Sequence, residues 1–181
     1  MSNYSKIKTF DIANGKGIRT SVFFSGCDFK CKGCFNSELW NFNVGEPFTR
    51  EVYETKIKPT ITEHIAGISI LGGEALHPKN IFSTHQLITW FKEDFPNKTI
   101  WLWSGYTYEQ LISEEYSLSL NLEDCLDGII IDIFTSIDVL VDGQFIEEEK
   151  DLTLKFAGSK NQRLIDVQES LKQNKVVLYE E

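Results

Sequence analysis

No stretch of this 181-residue chain approaches the ~18–20 consecutive apolar residues of a membrane-spanning helix. Nor does Met1–Thr9 carry an apolar core of signal-peptide length, so a cytoplasmic protein is expected. Basic residues are outnumbered, 18 against 27, for a net charge of −9, and they form no cluster of the kind that grips nucleic acid. The acidic balance serves solubility first, and composition does not decide whether it also meets a basic partner. Repeats, low-complexity tracts and linkers are absent, which makes one domain over residues 1–181 the economical reading. A hydrophobic fraction of 41%, with 13% aromatics, is enough for a real core.

Cysteine is scarce as well, yet three of the four fall within eight positions, at Cys27, Cys31 and Cys34. In a reducing compartment such a cluster points to a metal or redox site rather than a disulfide framework. Three readings stand side by side. A structural zinc site needs four ligands, usually as two close pairs. Here only Cys31 and Cys34 make a pair, and His64, His77 and His85 lie far off in sequence. A thiol–disulfide site would use that pair and leave Cys27 idle. A cubane iron–sulfur cluster held by three thiolates would leave one iron open to a small molecule. The spacing favours the third reading without deciding it. Cys125, apart from the others in an amphipathic stretch, reads as a buried small hydrophobe.

Short apolar strands alternate with helical segments. Ile18–Phe24, Gly67–Leu71, Lys98–Trp103, Asp138–Val141 and Arg163–Asp166 read as strands. Thr49 opens a helical pattern interrupted near Pro59, a helix runs from about Pro78 to Asp94, and Thr107 caps another. Residues 113–136 fit a helix through positions 126, 129, 130, 133 and 134, although Ile129–Ile131 also fits a strand. The alternation predicts a mostly parallel α/β sheet, whose ligands bind beyond the carboxyl ends of its strands. The cysteine loop, Gly72-Gly73-Glu74, Ser104-Gly105 and Asp142-Gly143 each follow a strand, and would gather on one rim.

The loop Cys27–Cys34 resembles that of the radical S-adenosylmethionine enzymes, whose signature is three cysteines separated by three and two residues. Gly33, where most of that superfamily carries an aromatic residue, matches one branch, the activating enzymes of anaerobic ribonucleotide reductase. Asn14–Arg19, Leu71–Asn80, Trp101–Thr107, Asp138–Phe145 and Gly158–Arg163 are similar to further blocks of that branch, with Ala75 standing where a proline is usual. The resemblance spans about residues 10–168.

It implies a 4Fe-4S cluster on Cys27, Cys31 and Cys34, with S-adenosyl-L-methionine chelating the open iron. Reductive cleavage would give a 5′-deoxyadenosyl radical that installs a glycyl radical on the anaerobic ribonucleoside-triphosphate reductase. An electron donor such as flavodoxin or ferredoxin would be the second partner. Gly72, Gly73, Glu74, Ser104 and Asp142 are the expected cofactor-binding residues. Asn161, Gln162 and Arg163 are candidates for cofactor or partner contact, Arg19 for pairing with a carboxylate, and Phe29 and Phe35 for shielding the cluster. No side chain is assigned a catalytic step, because the radical chemistry belongs to the cofactors. Length and resemblance together imply an incomplete TIM-type barrel of about six mostly parallel strands with flanking helices. Two alternatives remain, an activase of another glycyl-radical enzyme (the formate-lyase type) and a non-catalytic zinc-binding module.

Overall fold

The structure, a computed structural model, describes residues 2–113, 116 and 126–180. Its centre is an open seven-stranded sheet of order β3-β1-β2-β4-β5-β6-β7. The strands are β1 (Asn3–Asp11), β2 (Arg19–Phe24), β3 (Glu46–Pro47), β4 (Gly67–Gly72), β5 (Thr99–Trp103), β6 (Val139–Asp142) and β7 (Arg163–Asp166). The middle four, β2-β4-β5-β6, are parallel. At the edges, β1 and β3 on one side and β7 on the other run antiparallel to their neighbours. The fold is therefore mixed α/β, with one strand more than the sequence suggests.

The parallel strands are buried on both faces, which is why they read as short continuous apolar runs. Val22, Phe24, Ile68, Ile70, Ile100, Leu102 and Leu140 point into the main core. There they meet the crossover helices α2 (Ile81–Asp94) and α4 (Leu126–Ser136). The alternate residues Phe23, Leu71, Trp101, Trp103, Val139 and Val141 form the opposite face, covered in part by Phe156 and Tyr179. On α2 the buried positions Ile81, Thr84, Leu87, Ile88 and Phe91 follow the helical period, with His85 and Trp90 at the margin.

Over residues 126–136, the described part of the ambiguous stretch 113–136, the helical period prevails over the strand pattern, and α4 buries Ile130, Ile133 and Phe134. The reading of Cys125 falls outside the described residues. Thr49 caps the short α1 (Arg50–Val52), accepting from the Val52 N–H, and the chain continues as a π turn into the 3₁₀ turn that holds Pro59. Thr107 caps α3 (Tyr108–Leu111) in a full capping box with Gln110. Asp166 caps α5 (Val167–Gln173). Among the described residues no helix is long and apolar enough to cross a membrane.

Two strands escaped the sequence, the two-residue β3 and the longer β1. Ile18–Phe24 reads as the first strand, but β1 precedes it. β1 buries only Tyr4 and Asp11 fully, and its register against β2 breaks twice, between Tyr4 and Lys6 and between Lys8 and Asp11. An irregular edge strand of this kind leaves no alternating apolar pattern to detect.

Candidate cluster and cofactor site

Because β2, β4, β5 and β6 are parallel, the loops that follow them share one rim of the sheet. A cavity of about 580 Å³ opens there, within the volume range of small-molecule sites. Its walls include Cys27, Cys31 and Cys34, the segment Gly72-Gly73-Glu74, Ser104-Gly105 and Gly143-Gln144. Phe29, Phe35 and Phe145 add apolar surface.

The cysteine loop is fastened to its surroundings mainly through backbone. Gly26 N–H donates to Leu39 O at 2.7 Å and Cys27 N–H to Trp40 O at 3.0 Å. Gly73 N–H donates to Phe24 O and Glu74 N–H to Gly26 O, both at 2.8 Å. This close approach is what requires glycine at position 73, since a Cβ there would lie 2.4 Å from Gly26 O. The N–H groups of Gly73 and Glu74 are thereby spent. What remains for a ligand is carbonyl oxygen and carboxylate, a set suited to an ammonium group. Gly33 holds a φ of +72°, a left-handed conformation that glycine adopts without penalty.

Two side chains that the sequence did not single out complete the fastening. Asn80, fully buried, donates from Nδ2 to both Ser25 O and Glu74 O. His77 Nδ1 accepts from Lys79 N–H, which leaves the proton on Nε2, and Nε2 sits 3.0 Å from Asp28 in the cysteine loop. Both residues lie in the segment singled out after β4, but nothing in their spacing identifies their partners.

Glu74 is buried, and its carboxylate accepts from Leu76 N–H, Ser104 Oγ–H and Gly105 N–H at 2.9, 2.9 and 2.6 Å. Burial dominates and raises its pKa to about 7, against the opposing pull of those three donors. The folded chain thus holds a proton that the unfolded chain releases near the ordinary carboxylate pKa of ~4.3. Between that value and about 7 the folded state binds more protons, so the stability of the metal-free chain should fall as pH rises through this window, by about 1.4 kcal/mol per unit. Glu74→Gln should flatten the slope, which denaturant titrations at pH 5 and pH 7.5 will show.

All three thiols are free. Burial pushes the Cys27 thiol up to about 11 and raises Cys31 as well, so iron binding at these two must displace protons. Asn36 N–H points at Cys34 Sγ, 3.4 Å away, a donor suited to a thiolate. Among the described residues no three His, Cys, Asp or Glu side chains converge as the ligands of one metal ion would. The donor set nevertheless fits a cluster. Three thiols of one loop share a cavity, and no histidine lines it among the described residues.

The remaining candidates lie further out. Asp142, 1% exposed, accepts from Tyr108 N–H at the start of α3 and pairs with Arg163, which also forks onto Glu109. Those hydrogen bonds raise the Arg163 pKa, Asp142 contributing most. Arg163→Ala would strand the Asp142 charge. Because Arg163 is itself 34% exposed, the expected loss is about 3 kcal/mol, the low end for breaking a buried pair, readable as a shift in urea midpoint at constant m-value.

Gln162 lines the cavity, while Asn161 Nδ2 donates to Gln144 O. Phe35 packs edge-on against Phe145, and Phe29 against Tyr106. Arg19 is fully buried at the other end of β2, where it donates to Ser69 and Thr99 hydroxyls and to carbonyls rather than to a carboxylate.

An open α/β sheet with three thiols and a buried carboxylate on one rim suits a carrier of a single cluster. In agreement, the family model described as a 4Fe-4S single cluster domain matches residues 13–165. Relatives from several sources carry the name anaerobic ribonucleoside-triphosphate reductase-activating protein. That of Vibrio cholerae is 36% identical over 162 residues, which is 88% of this chain and 95% of the relative. That of Escherichia coli K12 is 35% identical over 88% of this chain and 96% of its own length. That of Enterobacteria phage T4 is 34% identical over 90% of this chain and 92% of its own. The chain belongs to the family of anaerobic ribonucleoside-triphosphate reductase-activating proteins.

Proposed function

We propose that this chain, a radical S-adenosylmethionine enzyme, installs a glycyl radical on an anaerobic ribonucleoside-triphosphate reductase. The observation that carries the reading is the shared cavity, in which three thiols of a Cys-x3-Cys-x2-Cys loop face Glu74 and the Gly72-Gly73 backbone. A bound, reduced cluster would supply the one electron that splits S-adenosylmethionine into methionine and a 5′-deoxyadenosyl radical, and transfer of a hydrogen atom from the substrate glycine would then give 5′-deoxyadenosine and the glycyl radical.

Cys27, Cys31 and Cys34 would hold three of the four irons. The Gly72 and Gly73 carbonyls and the Glu74 carboxylate would receive the ammonium of the methionine moiety. Ser104 is a positioning residue that fixes Glu74 Oε1, and Asp142 anchors the strand end that leads into Gly143 and Gln144. Phe29, Phe35 and Phe145 keep water from the site. The open sheet is read as a partial barrel whose gap admits a protein substrate. A flavodoxin or ferredoxin of the cytoplasm would supply the electron.

The test combines anaerobically reconstituted, reduced protein with S-adenosylmethionine and the cognate reductase. A glycyl radical in the electron paramagnetic resonance spectrum, with matching 5′-deoxyadenosine, is expected. An intact cluster without either product would overturn the reading, and so would anaerobically purified protein that holds zinc but no iron or sulfide.

A further inference from the structure

The cavity does not end at the rim. Its lining includes Lys6 and Lys8 on β1, Ala13 and Asn14 after it, and Leu154 and Phe156 in the loop before β7. One wall is therefore a sheet edge. β3 pairs with β1 only at Asn3 and Tyr4, and among the described residues nothing pairs with the outer edge of β1 from Lys6 to Phe10. Apolar side chains stand in solvent beside this lining, with Phe10 69%, Ile12 74% and Leu152 79% exposed. Phe10 also holds a φ of +53°, which for a bulky residue costs about 1–2 kcal/mol. An exposed aromatic kept in a strained conformation, next to an open edge and a reaction cavity, marks a surface built for contact rather than for folding.

We propose that the glycine-bearing segment of the protein substrate docks here in extended form, adding as a strand to the free edge of β1 from Lys6 to Phe10, with Phe10 and Ile12 as its apolar anchors. This inference rests on the function proposed above and adds where and in what conformation the substrate binds. Strand addition supplies main-chain hydrogen bonds whatever the side chains, which suits a segment whose reactive residue has none. A second copy of this chain fits the edge poorly. Antiparallel pairing of two β1 edges would bring Lys6 and Lys8 against the same lysines, and lysines and register breaks are devices that keep open edges from self-pairing. Lys6 has its ammonium 4.3 Å from the centre of the Phe23 ring and no carboxylate at ion-pair distance among the described residues. An acidic side chain on the incoming strand would find a partner there.

Two measurements on the full reconstituted chain test this. In the first, the double variant Phe10→Asn, Ile12→Asn is compared with wild type at sub-saturating reductase. Asparagine tolerates the left-handed conformation at position 10, so folding should not suffer. The glycyl-radical yield should drop about tenfold, equivalent to 1.4 kcal/mol of binding, while 5′-deoxyadenosine formed without reductase stays unchanged. In the second, hydrogen exchange at the amides of residues 6–10 should slow when reductase is added. Unchanged radical yield together with unchanged exchange overturns the docking site and leaves the proposed function standing. Protection that instead grows with the concentration of this chain alone overturns it in favour of a second copy. Absence of S-adenosylmethionine cleavage by wild type overturns the proposed function, and the exchange measurement then still decides whether the reductase binds this edge.

Discussion

Cys31→Ala is expected to bring 5′-deoxyadenosine formation to background while leaving the fold intact. The two effects separate because of where Cys31 lies. It is half-buried in the rim loop, outside the apolar cores of the sheet, and its thiol reaches Gln144 Oε1 only at 4.0 Å. Removing it should therefore cost the metal-free chain less than about 1 kcal/mol. For a three-thiolate cluster, though, one missing ligand leaves two irons without a protein donor. Iron and sulfide analysis after anaerobic reconstitution, alongside the cleavage assay, gives both readouts. Cleavage retained with full iron content would remove Cys31 from the ligand set. Cys34→Ala should behave alike, whereas Cys27→Ala should also lower stability, because Cys27 is buried.

Gly73→Ala is expected to reduce cleavage by about 100-fold at a stability cost of about 1–3 kcal/mol. The added methyl would meet the backbone oxygen of Gly26 at 2.4 Å, and no side-chain rotation relieves a backbone contact. The segment after β4 must then move away from the cysteine loop. The hydrogen bonds from Gly73 N–H and Glu74 N–H, both 2.8 Å, tie the two together. A displacement of this kind would shift the proposed ammonium acceptors relative to the cysteine loop, and misplacement of about 1 Å is enough for a loss of that order. Gly128→Ala is the control. A Cβ at Gly128 meets nothing within 4 Å on the exposed side of α4, so that variant should gain about 0.5–1 kcal/mol and keep full activity. Equal activity in the two variants would show that the tie between the loops does not matter for cleavage.

What could be read from the sequence follows from which interactions are local. The strands β2, β4, β5 and β6 were legible because burial on both faces gives short apolar runs, and the α3 cap because Thr107 and Gln110 are three residues apart. The gathering of the loops on one rim followed from the parallel order. Glu74 was singled out as a cofactor contact, but its hydrogen bonds to Ser104 and Gly105 span about 30 residues and left no local trace. The same holds for the pair of Asp142 and Arg163 and for the links from Asn80 and His77 to the cysteine loop. β1 was missed because an edge strand with two register breaks and lysines along it has no period to display.

The ties between the cysteine loop, Glu74 and Ser104 also set an order of maturation. Each joins the end of one strand to the end of another, so the pocket exists only once β2, β4 and β5 lie side by side. Unlike a zinc finger, whose ion organises an otherwise unfolded chain, this pocket is tied by hydrogen bonds between strand ends that involve no metal. Without a metal, Cys27 stays protonated in its buried setting and is a poor target for oxidants, which attack thiolates. Burial thus guards this one thiol until iron displaces its proton.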